Sequence, residues 1–460
     1  MAPHAGDIDL AKAYHHVTVS MREHTEKVMV KLTAPHTGKG DTAPLDIVVV
    51  LDISGSMRGT KLEHMKHAMT RFIIEKLGIR GDRLAIITFE SKAHKVFDLS
   101  SMLPDQVKKA VAVVEGLKAG GDTNIKAGLE AGLDVLKTRR GHSHNASCIF
   151  LMSDGHENVD KARTLLDRVG EHSVVTFGFG EKSDEQLLYD IAYHSHAGTY
   201  HHVREKEDEN QLMKAFAFLA IYRSISMLDL KVTVSAHKEA AGAIIRGVDP
   251  CRYRVDGPHG DGSFTVHFGD LAREESRRIL VDVQLPQVQH EQKDKPVIHV
   301  KYEYSSPKKV KVTNTLDIKM NRVQNPGQAA MNPNVSRELA RRAQVEHLRK
   351  VMDLANKKNL GAAKDEVERA RNALNSITHD TDDAVDSLFN ELDNIEEFLE
   401  TYDIYNKLGR SYLLACISSH ERQRYAERGG AAPVDLYLTQ RMNKYLDQAH
   451  KVHKNPKTKI

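Results

Sequence analysis

One short loop of the chain carries an oxygen side chain at every second position: Asp52, Ser54 and Ser56. It follows an apolar, largely β-branched run, Ile47 to Leu51, which reads as a fully buried parallel strand. Gly55, between the serines, permits a tight backbone. The carboxyl end of such a strand is where open α/β sheets bind their ligands. An all-oxygen set suits a hard divalent cation, magnesium, calcium or manganese, and not zinc or copper.

Two more oxygens continue the pattern. Thr123 lies in Gly120-Gly121-Asp122-Thr123-Asn124, a loop that opens a helix. Asp154 lies in Ser153-Asp154-Gly155, after a second apolar run, Cys148 to Met152. A plainer reading makes Asp52 and the serines caps for the following helix. That accounts for their own loop but not for Thr123 and Asp154 on two others.

In this order, each on a strand-to-helix loop, these pieces resemble the metal-ion-dependent adhesion site of von Willebrand factor A domains. The resemblance covers about Leu45 to Ser226 and includes Ile87-Thr88-Phe89 and Phe177-Gly178-Phe179-Gly180. It implies that Ser54, Ser56 and Thr123 offer hydroxyl oxygens to one divalent cation. Magnesium is the first expectation, with calcium or manganese as alternatives. Asp52 and Asp154 would hold metal-bound waters or bind the cation directly. The resemblance also implies a partner protein whose exposed Asp or Glu completes the cation, an interaction that needs no catalysis. Two local departures stand at the rim. Asp122 would add negative charge beside Thr123, and His156 and Glu157 would border the site after Asp154.

The leading expectation is therefore a non-enzymatic, cation-dependent protein-interaction module acting as scaffold or regulator. Other classes compete with it. A metal-dependent hydrolase would need a nucleophile-base pair, a G-x-S-x-G elbow or a G-K-[ST] phosphate loop, and none is visible. His156-Glu157-Asn158 does not make the H-E-x-x-H of zinc proteases. A purely structural subunit would not need all five oxygen positions. The whole layout also looks like plant proteins of the von Willebrand A type, several of which carry a RING finger ahead of the A domain and act as ubiquitin ligases. No Cys/His cluster precedes Leu45, so only an accessory or substrate-recognition role in ubiquitin ligation is kept as an alternative.

Composition narrows the classes further. Lys plus Arg number 66 against 63 Asp plus Glu, a net charge of +3, which gives no argument for a nucleic-acid partner. The three cysteines, Cys148, Cys251 and Cys416, are far apart and make neither a disulfide framework nor a zinc module. No run approaches the roughly 18 consecutive apolar residues of a membrane span, and the first residues lack the apolar core of a secretion signal. The expected address is the cytosol or the nucleus. Nothing fixes the oligomeric state.

The elements around the site follow from periodicity. Residues 1–44 hold two alternating strands, Val17–Met21 and Lys27–Leu32, and a Gly/Thr/Pro-rich linker. Strands and amphipathic helices alternate over residues 45–226, which predicts a Rossmann-like α/β sheet with helices on both faces. Its helices are expected at Leu62–Leu77, Gln106–Leu117, Asn124–Leu136, Lys161–Val169, Asp184–Ala192 and Gln211–Ser226. Residues 227–320 carry five short alternating runs and read as an antiparallel β-sandwich. The strands before Pro35 lack nearby partners and are expected to join it. Residues 333–425 turn to Ala, Leu, Arg, Glu and Lys and read as amphipathic helices, with segments near Arg337–Lys357, Leu360–Ile377, Asp382–Leu408 and Arg410–Arg424. Residues 426–460 read as a flexible tail with a short helix at Val434–His450.

Overall fold

The computed structural model describes residues 10–35, 42–74, 77, 81–139, 145–180, 183–204, 219–327, 331–377, 383–429 and 436–444. Two short strands, β1 (Ala11–Tyr14) and β2 (Thr18–Ser20), and a longer one, β3 (His24–Thr33), come first. Then follows the strand that carries the aspartate and serines into their loop, β4 (Leu45–Asp52), buried along its whole length. Around it stand β5 (Arg83–Phe89), β6 (Ala93–Ser101), β7 (Ala146–Ser153), β8 (Ser173–Phe179) and β9 (Tyr200–Val203). The sheet order is β6-β5-β4-β7-β8-β9. All pairs are parallel except β5–β6, so β6 is an antiparallel edge. Burial on both faces explains why β4, β5, β7 and β8 read as continuous apolar runs.

The helices of this sheet are α1 (Thr60–Ala68), α2 (Pro104–Glu115), α3 (Ile125–Lys137) and α4 (Glu185–His194). Asn124 and Asp184 stand outside α3 and α4 as caps. The Asn124 side chain accepts from the Ala127 N–H at 2.9 Å and the Asp184 side chain from the Leu187 N–H at 3.0 Å. The helix expected over Leu62–Leu77 changes register, because α1 passes at Met69 into a π-helical turn that ends at Ile74. The helix expected over Lys161–Val169 is a 3₁₀ turn, Ala162–Leu165, followed by a single α turn, Leu166–Val169. The helix expected over Gln211–Ser226 lies mostly outside the described residues. Its last turn, Leu219–Tyr222, is helical, but Ile225 and Ser226 already belong to a strand.

That strand is β10 (Ile225–Ala236), followed by β11 (Ile244–Asp249), β12 (Arg254–Asp256), β13 (Phe264–Ala272), β14 (Ser276–Leu285), β15 (Gln292–Ser305) and β16 (Lys311–Val323). They form two sheets. One has the order β1-β3-β14-β11, and the other β12-β13-β10-β15-β16-β2. β3 runs antiparallel to β14 over ten residue pairs, His24↔Leu285 to Thr33↔Ser276. One contact departs from the all-antiparallel expectation: β2 pairs parallel with β16.

The last helices are α5 (Pro333–Asn356), α6 (Leu360–Ile377), α7 (Asp383–Phe398) and α8 (Arg410–Arg422). Between α7 and α8 the helix expected to run to Leu408 breaks into a short turn, Tyr402–Ile404, and a π turn, Tyr405–Gly409. Val335, at the start of α5, packs with Met29 and Leu280. Residues 426–429 are not a free tail. Ala426, Glu427 and Arg428 are buried, and the Glu427 carbonyl accepts from the His202 N–H at 2.9 Å. Unpaired edge amides of β9 reward any segment that can satisfy them. Of the helix expected over Val434–His450, residues 436–439 are turn and irregular backbone and residues 440–444 are helical; the rest lies outside the described residues.

By its internal contacts the chain divides into two compact units. One holds residues 1–41, 226–344 and 372–385, and the other residues 42–225, 345–371 and 386–460.

Candidate functional site

Three loops meet around Asp52, and backbone bonds lace them together: the serine loop after β4, the Ser153-Asp154-Gly155 loop after β7, and the glycine loop, which joins α2 to α3 and is not the strand-to-helix loop expected for Thr123. Gly120 N–H donates to Ile53 O at 2.8 Å and Gly55 N–H to Gly121 O at 3.0 Å, which fixes the serine loop against the glycine loop. Asn158 closes the third side. Its side-chain oxygen accepts from the Thr123 N–H at 2.8 Å, and its own N–H donates to Thr123 O at 3.0 Å. Gly121 adopts φ +78°, a left-handed turn that favours glycine. An ideal Cβ there would lie 2.4 Å from Glu90 Oε2, so the position also lacks room for a side chain.

The five oxygen residues come together in this frame. Asp52 is fully buried: Oδ1 accepts from the Ser54 N–H at 2.8 Å, and Oδ2 from the Ser153 hydroxyl at 2.6 Å. Burial pushes its carboxyl up to about 6; the bonds from Ser153 and Ser54 oppose that shift, and the nearby charge of Asp154 adds to it. The Ser54 and Ser56 hydroxyls lie 3.1 Å apart. Ser56 donates to Asp154 Oδ1 at 2.7 Å, and the Lys61 ammonium to Asp154 Oδ2 at 2.7 Å. A Cβ built on Gly155 would stand 3.6 Å from Ser56 Oγ and 3.7 Å from Thr123 Oγ1, so these hydroxyls face one small space. Ser54, Thr123 and Asp154 are buried while Ser56 is exposed, so the cluster opens to solvent on the Ser56 side.

The rim residues are less convergent. Asp122 is exposed and engages Ser91, whose hydroxyl donates to its carboxylate at 3.4 Å. His156 is exposed and lies 3.4 Å from Asp184 Oδ2. Glu157 is occupied elsewhere: Oε2 accepts from the Ala162 N–H at 2.7 Å, capping the 3₁₀ turn. Burial raises its carboxyl, with the Ala162 bond working against the shift. Sequence reading missed Lys61, Ser153 and Asn158. Ser153 stands inside the quoted Ser-Asp-Gly triplet, and Lys61 is the second residue of α1. Neither has a spacing signature of its own.

The donor set fits a hard divalent cation. Three hydroxyls and two carboxylates face one another with no sulfur or imidazole among them. Asp52, both of whose oxygens already accept hydrogen bonds, suits a carboxylate that supplies charge and orients its neighbours. Among the described residues, no group of three or more His, Cys, Asp or Glu side chains is placed to hold a metal.

A sequence profile for the von Willebrand factor type A domain matches residues 46–217, and a second, described as VWA / Hh protein intein-like, matches residues 382–451. The E3 ubiquitin-protein ligase WAV3 of Arabidopsis thaliana is 28% identical over 308 residues, 62% of this chain and 37% of that protein. The inter-alpha-trypsin inhibitor heavy chain H3 of Homo sapiens is 30% identical over 189 residues, 38% of this chain and 20% of that protein. The chain thus spans well under half of either relative. Among solved structures, the von Willebrand factor type A protein from Catenulispora acidiphila matches with a TM-score of 0.65 at 18% identity, covering 86% of this chain and 96% of that one. The ArnB paralog VWA2 from Sulfolobus acidocaldarius matches at 0.54 and 15% identity, covering 89% and 96%. At such identities these two show the fold alone. Sheet order, the laced loops and the sequence profile agree: the chain carries a von Willebrand factor type A domain.

Proposed function

We propose that this protein is a non-enzymatic interaction module that binds partner proteins through a divalent cation, magnesium first among the candidates. Ser54, Ser56 and Thr123 would offer it hydroxyl oxygens, and Asp52 and Asp154 would supply charge. The observation that supports this most is the lacing of three loops, which gathers five oxygen side chains that the chain spreads over 103 positions, from Asp52 to Asp154. When bound, the cation would present an electrophilic centre to an Asp or Glu side chain of the partner. The residues of this chain do the rest. Ser153 and the Ser54 N–H hold Asp52 in one orientation, and Asn158 sets the Thr123 backbone. Ser56, exposed at the mouth, marks the side from which a partner would approach.

Affinity capture with the wild-type protein, with and without chelator, tests this reading. Partners should be recovered in magnesium and lost both in chelator and with Asp52→Ala. Capture that persists in excess chelator would move the interaction surface elsewhere on the molecule. A second reading, an accessory or substrate-recognition role in ubiquitin ligation, draws support from the similarity to the Arabidopsis ligase. Ubiquitin-ligase subunits among the magnesium-dependent partners would favour it.

A further inference from the structure

Lys61 lies in the first turn of α1 with its side chain 17% exposed, and its Nζ donates to Asp154 Oδ2 at 2.7 Å. The other oxygen of that carboxylate, Oδ1, takes the Ser56 hydroxyl at 2.7 Å. Asp154 is therefore shared between the hydroxyl cluster and a fixed ammonium. We propose that Lys61 is a built-in counter-cation that keeps a dication at this site under-neutralised. It thereby lowers affinity for the metal and raises the affinity of the metal-loaded site for a carboxylate ligand.

The inference rests on the cation reading given above, and its logic is a charge count. Asp52 and Asp154 together supply two negative charges, which a divalent ion alone would cancel. A neutral assembly exerts little pull on a further anion. Lys61 leaves the loaded assembly one positive charge in excess. Both aspartates are fully buried, so charges beside them act through a medium far less screening than water. The geometry suits tuning rather than blocking, because Lys61 meets Asp154 at Oδ2 while the Ser56 hydroxyl takes Oδ1. Asp52 is held differently, by the neutral N–H of Ser54 and the hydroxyl of Ser153.

The test compares wild type with Lys61→Met, Lys61→Gln and the charge-preserving Lys61→Arg. Manganese is titrated calorimetrically. Acetate is then titrated into manganese-loaded protein, with water-proton relaxation reporting displacement of metal-bound water. The two neutral variants should bind manganese about tenfold more tightly or better, and should need about tenfold more acetate. Lys61→Arg should follow the wild type in both. Thermal melting checks folding, and two neutral side chains of different polarity keep one readable if the other misfolds. Folded neutral variants with unchanged or weaker manganese affinity would overturn the proposal and leave Lys61 as a residue that merely positions Asp154. Tighter manganese with unchanged acetate affinity would overturn its second half. Failure of wild type and variants alike to bind manganese at millimolar concentration would overturn the cation reading itself, and this inference with it.

Discussion

Thr123 reaches the site through two kinds of bond, and they can be separated. Its backbone laces the glycine loop to Asn158, donating through N–H and accepting through the carbonyl. Its hydroxyl faces the space shared with Ser56. Thr123→Ala removes the hydroxyl and keeps the lacing, so stability should change by only about 1 kcal/mol or less. Metal affinity should fall about ten- to hundredfold, as it does when even an outer partner of a metal site is lost. Thr123→Ser should restore most of it. A titration showing equal affinity in wild type and Thr123→Ala would remove Thr123 from the ligand set. At this scale the sequence was readable where chemistry imposes a pattern. Asp52, Ser54 and Ser56 stand out because alternate oxygens after an apolar strand are an unusual thing to build. Lys61 and Asn158 do not stand out, because a lysine on a helix and an asparagine in a loop are ordinary until the fold sets them beside Asp154 and Thr123.

Elements hold these loops in place, and α3 does so through two glycines one turn apart. An ideal Cβ on Gly128 would lie 2.5 Å from Phe89 Cδ1 and 3.0 Å from Val50 Cγ1, and one on Gly132 would lie 3.0 Å from Val50 Cγ2. The helix therefore sits directly on β4 and β5, with Thr123 just before its first turn. Gly128→Val should cost about 1–3 kcal/mol by overpacking. It should also weaken metal binding, because the helix start would shift. Chemical denaturation and metal titration of the variant read both effects, and an unchanged midpoint would show that the core yields freely. In Gly128→Ala the clash is opposed by roughly 1 kcal/mol of better helix propensity, so its net loss should be smaller. Strand β9 carries two buried histidines, His201 and His202. His201 is fully buried: Nδ1 accepts from the Glu427 N–H at 3.0 Å, and Nε2 lies 2.9 Å from Thr199 Oγ1. Both bonds suit a neutral ring that donates from Nε2. Burial pushes His201 down to about 3, and does the same to His202, with the charge of Arg204 adding to the latter. The unfolded chain takes up these protons near its ordinary value of about 6.5, and the folded chain does not. Stability should therefore fall as pH drops below about 6.5 and go on falling towards 3. The slope should be up to about 1.4 kcal/mol per pH unit for each ring. His201→Gln should flatten the curve measured by urea unfolding between pH 7 and pH 4.5, and a slope equal to wild type would contradict the assignment. The π turns after α1 and before α8 had no signal, because a search at 3.6 residues per turn smooths over one inserted residue.

At the scale of the whole molecule, legibility depends on whether partners are close in sequence. The α/β domain alternates strand and helix, and every strand pair except β4–β7 joins consecutive strands, so periodicity outlined it from β4 to β9. The remaining sheets are built from distant segments. Thr33 pairs with Ser276 and Val19 with Arg322, and no property of either segment names its partner. β1 passed unnoticed because its four residues, Ala11–Tyr14, are too few to alternate convincingly. β11 and β12 passed unnoticed because Ile244–Asp249 and Arg254–Asp256 lack a regular apolar face. β3 shows what these distant pairings contribute. It stands inside the four-stranded sheet, between β1 and β14, and Val28, Val30 and Leu32 are buried there. Its ten pairs with β14 occupy one whole edge of that strand. A chain that starts at Thr42 would lack β1, β2 and β3. β14 would then expose a long unpaired edge and the apolar residues Ile279, Val281 and Val283, which the full chain buries. Single buried aliphatic side chains are worth about 1.5–3 kcal/mol each, and the three lost from β3 alone rival the 5–15 kcal/mol that holds an ordinary domain together. Amides of residues 276–285 should therefore exchange hydrogen rapidly in the shortened chain and slowly in the full one. Val30→Asp in the full chain should reproduce the loss, because it sets an unpaired carboxylate into the same apolar layer. The exposed Val17→Asp should leave exchange unchanged. Slow exchange at residues 276–285 in the chain that starts at Thr42 would show that β14 and β11 hold together without the first three strands.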